Sequence, residues 1–174
     1  MLFNSRIFIL LFLPIVYVGF VFLTRFRQRR MAVCWLACAS LLFYSWWNII
    51  HLPILLCSVV MNFIFGNYLA RQPSKWLLCV AIGLNLLALA YYKYTGFLFQ
   101  VFDQFSGFDV AIPTIVLPLA ISFFTFQQIA YLVDAHDGRA VEHNFLDYVL
   151  FISFFPHLIA GPITHHREML PQFS

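Results

Sequence analysis

The chain has 174 residues, of which 63% are hydrophobic, 20% aromatic and only 10% charged. A soluble domain of this size has too little interior to hide so much apolar surface, so the sequence describes an integral membrane protein. The formal net charge of +3 comes from loop arginines with no long basic face behind them, which excludes a nucleic-acid partner. The apolar runs are long and do not alternate with polar residues, which excludes an outer-membrane barrel.

In chain order the sequence predicts spans at about 7–24, 31–51, 53–70 and 76–98, each near the ~20 residues that a hydrocarbon core requires. The first run ends in Arg25, Arg27, Arg29 and Arg30, which marks a span stopped by a charged loop and not a cleaved leader. Pro53 suits the first turn of the third span, and Arg71 to Lys75 make a tight polar break. Residues 99–113 form the longest polar interval. A fifth span is expected at about 114–133, and a sixth, shorter segment at about 145–161, interrupted by Pro156. The expected fold is therefore all-α, with about five to six transmembrane or re-entrant helices in one membrane domain covering 1–174.

Basic residues set the orientation. The loop at 25–30 carries four and the loop at 71–75 carries two, whereas the intervening turn near 48–53 and the interval 99–113 carry none. Both basic loops, with Arg139, are expected in the cytoplasm and the N-terminus outside. Lys93, among Tyr91, Tyr92 and Tyr94, reads as a snorkelling residue in an aromatic belt. Cys34, Cys38, Cys57 and Cys79 have no His or carboxylate near them in sequence and read as small packing residues; no metal site is expected. Asn48, Asn62, Asn67 and Asn85 lie at or within apolar runs, where amides serve as hydrogen-bonded glue between helices.

The last third carries the polar groups that an anchor has no use for. On a helix over 120–134, Gln127, Gln128, Tyr131 and Asp134 fall within an arc of about 120°, overlapped by Phe123 and Phe124. Such a face can line a polar tunnel, or it can be a helix–helix interface with satisfied polar pairs. His157 lies four residues after Ser153, one helical turn away, inside an apolar segment; it completes the candidate tunnel lining. Pro118 can kink the start of the fifth span, and the step at Gly161-Pro162 can end a helix at membrane depth. No spacing assembles a Ser-His-Asp or Cys-His arrangement, so no catalytic residue is assigned.

Four stretches give a resemblance: Phe43-Tyr-Ser-Trp-Trp-Asn48; Leu86 to Tyr94; Ile121-Ser-Phe-Phe-Thr-Phe-Gln127 through Asp134; and Phe145-Leu-Asp-Tyr148 through Phe154-Phe-Pro-His-Leu-Ile-Ala-Gly-Pro-Ile163, closing with Leu170-Pro-Gln-Phe173. In this order they resemble the membrane-bound O-acyltransferases, in the branch of the alginate O-acetyltransferase membrane subunit. The resemblance implies the N-terminal portion of a ring of tilted helices around a tunnel. It implies transfer of an acyl group, acetyl above all, from acetyl-CoA or another cytoplasmic thioester to a hydroxyl of an exported polysaccharide. It further implies a bacterial inner-membrane location and a periplasmic acyltransferase partner, with no bound cofactor. A histidine acts as general base in that family, suited by a pKa near working pH. Its motif is expected beyond Leu170-Pro-Gln-Phe173, so none of this chain's histidines takes the role and the chain alone is expected to be inactive. A non-catalytic membrane scaffold and a small transporter subunit are the rival functions.

Overall fold

The computed structural model describes residues 5–106, 116–139 and 144–160, and among them every regular element is helical. A short π-helical stretch, Phe8–Phe12, leads into α1 (Leu13–Arg25). Then follow α2 (Arg29–Trp47), a 3-10 turn at Ile49–His51, α3 (Leu52–Arg71), α4 (Lys75–Ser106), α5 (Ile121–His136), α6 (Phe145–Ser153) and α7 (Phe155–Ala160). Among the described residues three stretches are long and apolar enough to cross a membrane: Phe8–Arg25, Ile49–Arg71 and Lys75–Phe99. Helix α2 has a comparable length of 19 residues but opens on Arg29-Arg30 and carries Ser40, Tyr44 and Ser45. Among the described residues Phe145–His157 is a shorter apolar helical segment, the one the sequence marked as interrupted, whereas α5, expected as a fifth span, has 16 residues and is not one of the three. Trp76, Leu87 and Tyr91 on α4, Tyr17 and Val18 on α1 and Leu10 in the π-helical stretch before it are exposed, as lipid-facing side chains must be.

Two boundaries differ from the sequence expectation. Helix α4 continues to Ser106, so the first part of the interval expected to be a polar loop is helical. At ~1.5 Å per residue its 32 residues reach about 48 Å, longer than a hydrocarbon core. Nothing between Phe99 and Ser106 is a glycine or proline, so propensity alone lets the helix run on. Helix α5 starts at Ile121, later than expected, because the chain turns at Pro118, whose carbonyl accepts from Ile121 N at 3.3 Å. Ala120 closes that turn with φ 55°, a left-handed conformation that non-glycine residues adopt at a cost of about 1–2 kcal/mol. The sixth segment is interrupted as expected, breaking at Phe154 (φ −54°, ψ 109°) into α6 and α7. Pro156 offers no N–H and crowds the carbonyl of Ile152, one turn back, which explains the position of the break. The Gly161-Pro162 step, His165, His166 and Leu170 to Phe173 lie outside the described residues.

Side-chain pairings fix the directions of the helices. The three-residue turn after Arg25 folds α2 back along α1, where Trp35 Nε1 donates to Val16 O at 3.1 Å. Asn62 meets Asn85 while Leu69 meets Ala81 and Leu77, so α3 and α4 are antiparallel. Asn62 meets Gln128 and Gly66 meets Tyr131, so α5 is parallel to α3. Gln127 meets Phe151 and Tyr131 meets Tyr148, so α6 is antiparallel to α5. One end of the bundle therefore gathers the α1–α2 turn, the α3–α4 turn and Arg139 after α5. The other end gathers Phe8, Phe12, Phe43 and Phe155, whose ring centroids lie 5.4–6.0 Å apart in most pairings. The sequence parity of basic loops corresponds to one physical end.

The cysteines differ from expectation: all four are unpaired and exposed, not packed. The buried stripe of α2 runs through Ala32, Val33, Leu36, Ala37, Ser40, Phe43 and Tyr44, and Cys34 and Cys38 fall on the opposite side. Among the described residues no cluster of His, Cys, Asp or Glu can hold a metal. Lys93 Nζ sits 5.6 Å from the Tyr94 ring centroid, in keeping with an amphipathic side chain in an aromatic belt.

Candidate functional site

Helix α5 lies among α3, α4 and α6, and its polar face is turned inward. Gln127 is 1% exposed and Gln128 fully buried, so neither faces lipid. The two amides point to different neighbours. Gln128 Oε1 accepts from Ser58 Oγ at 2.7 Å and from Asn62 Nδ2 at 2.5 Å, both on α3. Asn62 in turn exchanges two bonds with Asn85 of α4, at 3.0 and 2.7 Å. Asn85 Nδ2 also donates to Ala81 O at 2.9 Å. Three helices are thus tied through four polar side chains at the middle of the bundle. The amide glue expected of Asn62 and Asn85 is real, and Gln128 is part of it. Asn48 instead caps the 3-10 turn, its Oδ1 accepting from Ile50 N at 3.0 Å.

Gln127 serves α6. Its Nε2 donates to the Phe151 carbonyl at 3.2 Å. Tyr131, one turn on, packs at a tilt of 44° against Tyr148 with ring centroids 4.5 Å apart, and lies against Gly66 of α3. Asp134 is half-buried a turn further along, and its backbone carbonyl accepts from Arg139 N at 2.8 Å, near the basic end. His157 is elsewhere: its ring lies 6.4 Å from Phe123, at the end remote from the basic loops. Ser153 does not reach it, because the break intervenes and the Ser153 hydroxyl donates to Val149 O at 2.7 Å. The five candidates thus occupy four places: Gln128 in an α3–α4–α5 amide cluster, Gln127 and Tyr131 in an α5–α6 layer, Asp134 near the basic end of α5, and His157 at a corner on α7.

Sequence inspection missed Ser58 and Tyr148. Their signal was present as spacing: Ser58 and Asn62 are four apart on α3, and Tyr148, Phe151 and Ile152 share a face of α6. Beside the amide cluster a cleft of about 400 Å³ opens between α3, α4 and α5, lined by Ile54, Ser58, Leu84, Asn85, Phe124 and Thr125. Several buried polar atoms have no hydrogen-bond partner: Gln127 Oε1, Gln128 Nε2 and Tyr148 Oη in these layers, and Tyr44 Oη and His51 Nδ1 apart from them. Such groups are rare in a packed interior and point to water or a ligand group.

No family model matches the sequence, and no solved structure matches it. Curated proteins do. The peptidoglycan O-acetyltransferase of Helicobacter pylori is 37% identical over the whole of this chain, which covers 39% of that protein. The "Probable alginate O-acetylase AlgI" of Pseudomonas aeruginosa is 33% identical over the whole chain, which covers 35% of it. The teichoic acid D-alanyltransferase of Lacticaseibacillus rhamnosus is 26% identical over 67% of the chain. The chain spans well under half the length of these relatives and corresponds to their N-terminal part. With these matches and its helical architecture, the chain belongs to the membrane-bound O-acyltransferases.

Proposed function

We propose that this chain forms part of a membrane O-acyltransferase that transfers an acetyl group from a cytoplasmic thioester, such as acetyl-CoA, to a hydroxyl of a polysaccharide outside the cell. The observation that carries this is the match over the whole chain to an O-acetyltransferase of peptidoglycan and to an alginate O-acetylase. The weaker, partial match to a D-alanyltransferase favours acetyl over D-alanyl as the group moved. No histidine here is assigned the general-base role. The chain's own contribution is a tied three-helix core whose buried donors and acceptors border the path of the acyl group. A periplasmic acyltransferase partner fits a reaction that starts at a cytoplasmic donor and ends on an exported polymer.

The test is chemical. A strain lacking the gene should lose base-labile acetate from its peptidoglycan or exported polysaccharide, and re-expression should restore it. Unchanged acetate in every polysaccharide fraction would refute the proposal.

We further propose that the protein lies in the bacterial inner membrane with its N-terminus outside. Arg25, Arg27, Arg29, Arg30, Arg71 and Lys75 then face the cytoplasm together with Arg139, as their common end of the bundle requires. A cysteine placed at Gln28, with the four native cysteines replaced, should resist an impermeant maleimide on intact cells and react after permeabilisation. Labelling from outside would reverse the topology.

A further inference from the structure

The break between α6 and α7 frees backbone groups in the interior. In an unbroken helix the Phe151 carbonyl would accept from the N–H of Phe155. Here the two groups part, and each finds a side chain on a different helix. Gln127 of α5 donates to Phe151 O at 3.2 Å, and the Phe155 N–H donates to Ser40 Oγ of α2 at 3.4 Å. Ser40 is fully buried, and its own hydroxyl donates a hydrogen bond to Leu36 O at 2.8 Å. His157 N closes the next turn on Phe154 O at 3.0 Å. Non-helical backbone at membrane depth is tolerated only where protein satisfies it, and here it is satisfied from both sides.

We propose that Ser40 and Gln127 are positioning residues that hold the α6–α7 break open and so set where α7 carries His157. Pro156 determines that the helix is interrupted; the two side chains determine the direction in which it resumes. The Phe155 ring, seated among Phe8, Phe12 and Phe43, fixes one side of α7, and the opposite side presents His157 to Phe123 at the first turn of α5. Without the two caps, buried backbone groups at the break would lose hydrogen-bond partners, and a partner lost in the interior is costly. The chain would relieve that cost by shifting α7.

The acyltransferase proposal bears on what the break is for, not on its geometry, so the test reads geometry. Cysteines are placed at Phe123 and His157 in the full protein, with the native cysteines replaced, and linked by a short bis-maleimide in membranes. The linked peptide is quantified by mass spectrometry. Ser40→Ala and Gln127→Met should each reduce linkage several-fold relative to protein amount, whereas Ser45→Ala, the same change at a half-buried site of α2 whose hydroxyl bonds back to Leu42 O, should not. Alanine at Ser40 is benign to the helix itself, so that variant decides the matter if Gln127→Met fails to accumulate. Linkage undiminished in Ser40→Ala, or reduced equally in Ser45→Ala, would overturn the proposal whatever the protein acylates.

Discussion

Gly66→Ala is expected to remove most of the protein from the membrane, while Gly83→Ala leaves the amount unchanged. A Cβ on Gly66 would stand 2.2 Å from the Tyr131 ring and 2.6 Å from its hydroxyl, and a Cβ on Gly83 would meet nothing within 4 Å. A flexible side chain could yield to such an atom. Tyr131 cannot: it is 1% exposed, and Tyr148 packs on it at 4.5 Å while itself resting against Phe63 at 5.6 Å. The strain must pass into the α3–α5 contact that also aligns Asn62 with Gln128. Overpacking of this kind costs about 1–3 kcal/mol, and a loss of ~1–2 kcal/mol changes cellular abundance several-fold. Both glycines are mid-helix, so any propensity gain from alanine is shared and cancels in the comparison. The check is the amount of monodisperse full-length protein extracted from membranes. Equal amounts for Gly66→Ala and wild type would mean that the α3–α5 approach is looser than described.

The hydrophobic plan of this fold was legible because it is written in uninterrupted apolar runs and in arginine placement. Pro53 at the start of α3 and the tight turn after Arg71 needed only local rules. The end of α4 was not legible: Asp103, Gly107, Asp109 and Pro113 mark 99–113 as a polar interval, yet the helix runs on to Ser106. The start of α5 depended on a left-handed Ala120, which no propensity announces. At the candidate site the polar face of α5 was visible as an arc of residues, and its partners were not. An arc shows that Gln127 and Gln128 share a side of a helix; it does not show that one faces α6 and the other α3. That division is set by packing. Asn62 and Asn85 were recognisable as interhelical amides, while their meeting with Gln128 required the parallel setting of α3 and α5.

Gln128→Leu bears most directly on the claim that the buried face of α5 serves acyl transfer and does more than hold helices together. The substitution keeps the bulk of the side chain and removes the acceptor of Ser58 Oγ and Asn62 Nδ2. Single interhelical hydrogen bonds in membranes average about 0.6 kcal/mol and reach ~1.7, so two lost bonds lower the amount of protein only moderately. Ser58 retains exposure to the cleft, and Asn62 retains Asn85, which limits the structural damage further. The Gln128 Nε2 donor, buried and without a partner, is the group that packing leaves unexplained. The decisive measurement is base-labile acetate on the polysaccharide divided by the amount of protein in the membrane, in a strain carrying Gln128→Leu as its sole copy. The account predicts a ratio several-fold below wild type. Acetate and protein falling in parallel, with the ratio unchanged, would contradict it and leave the face as packing alone.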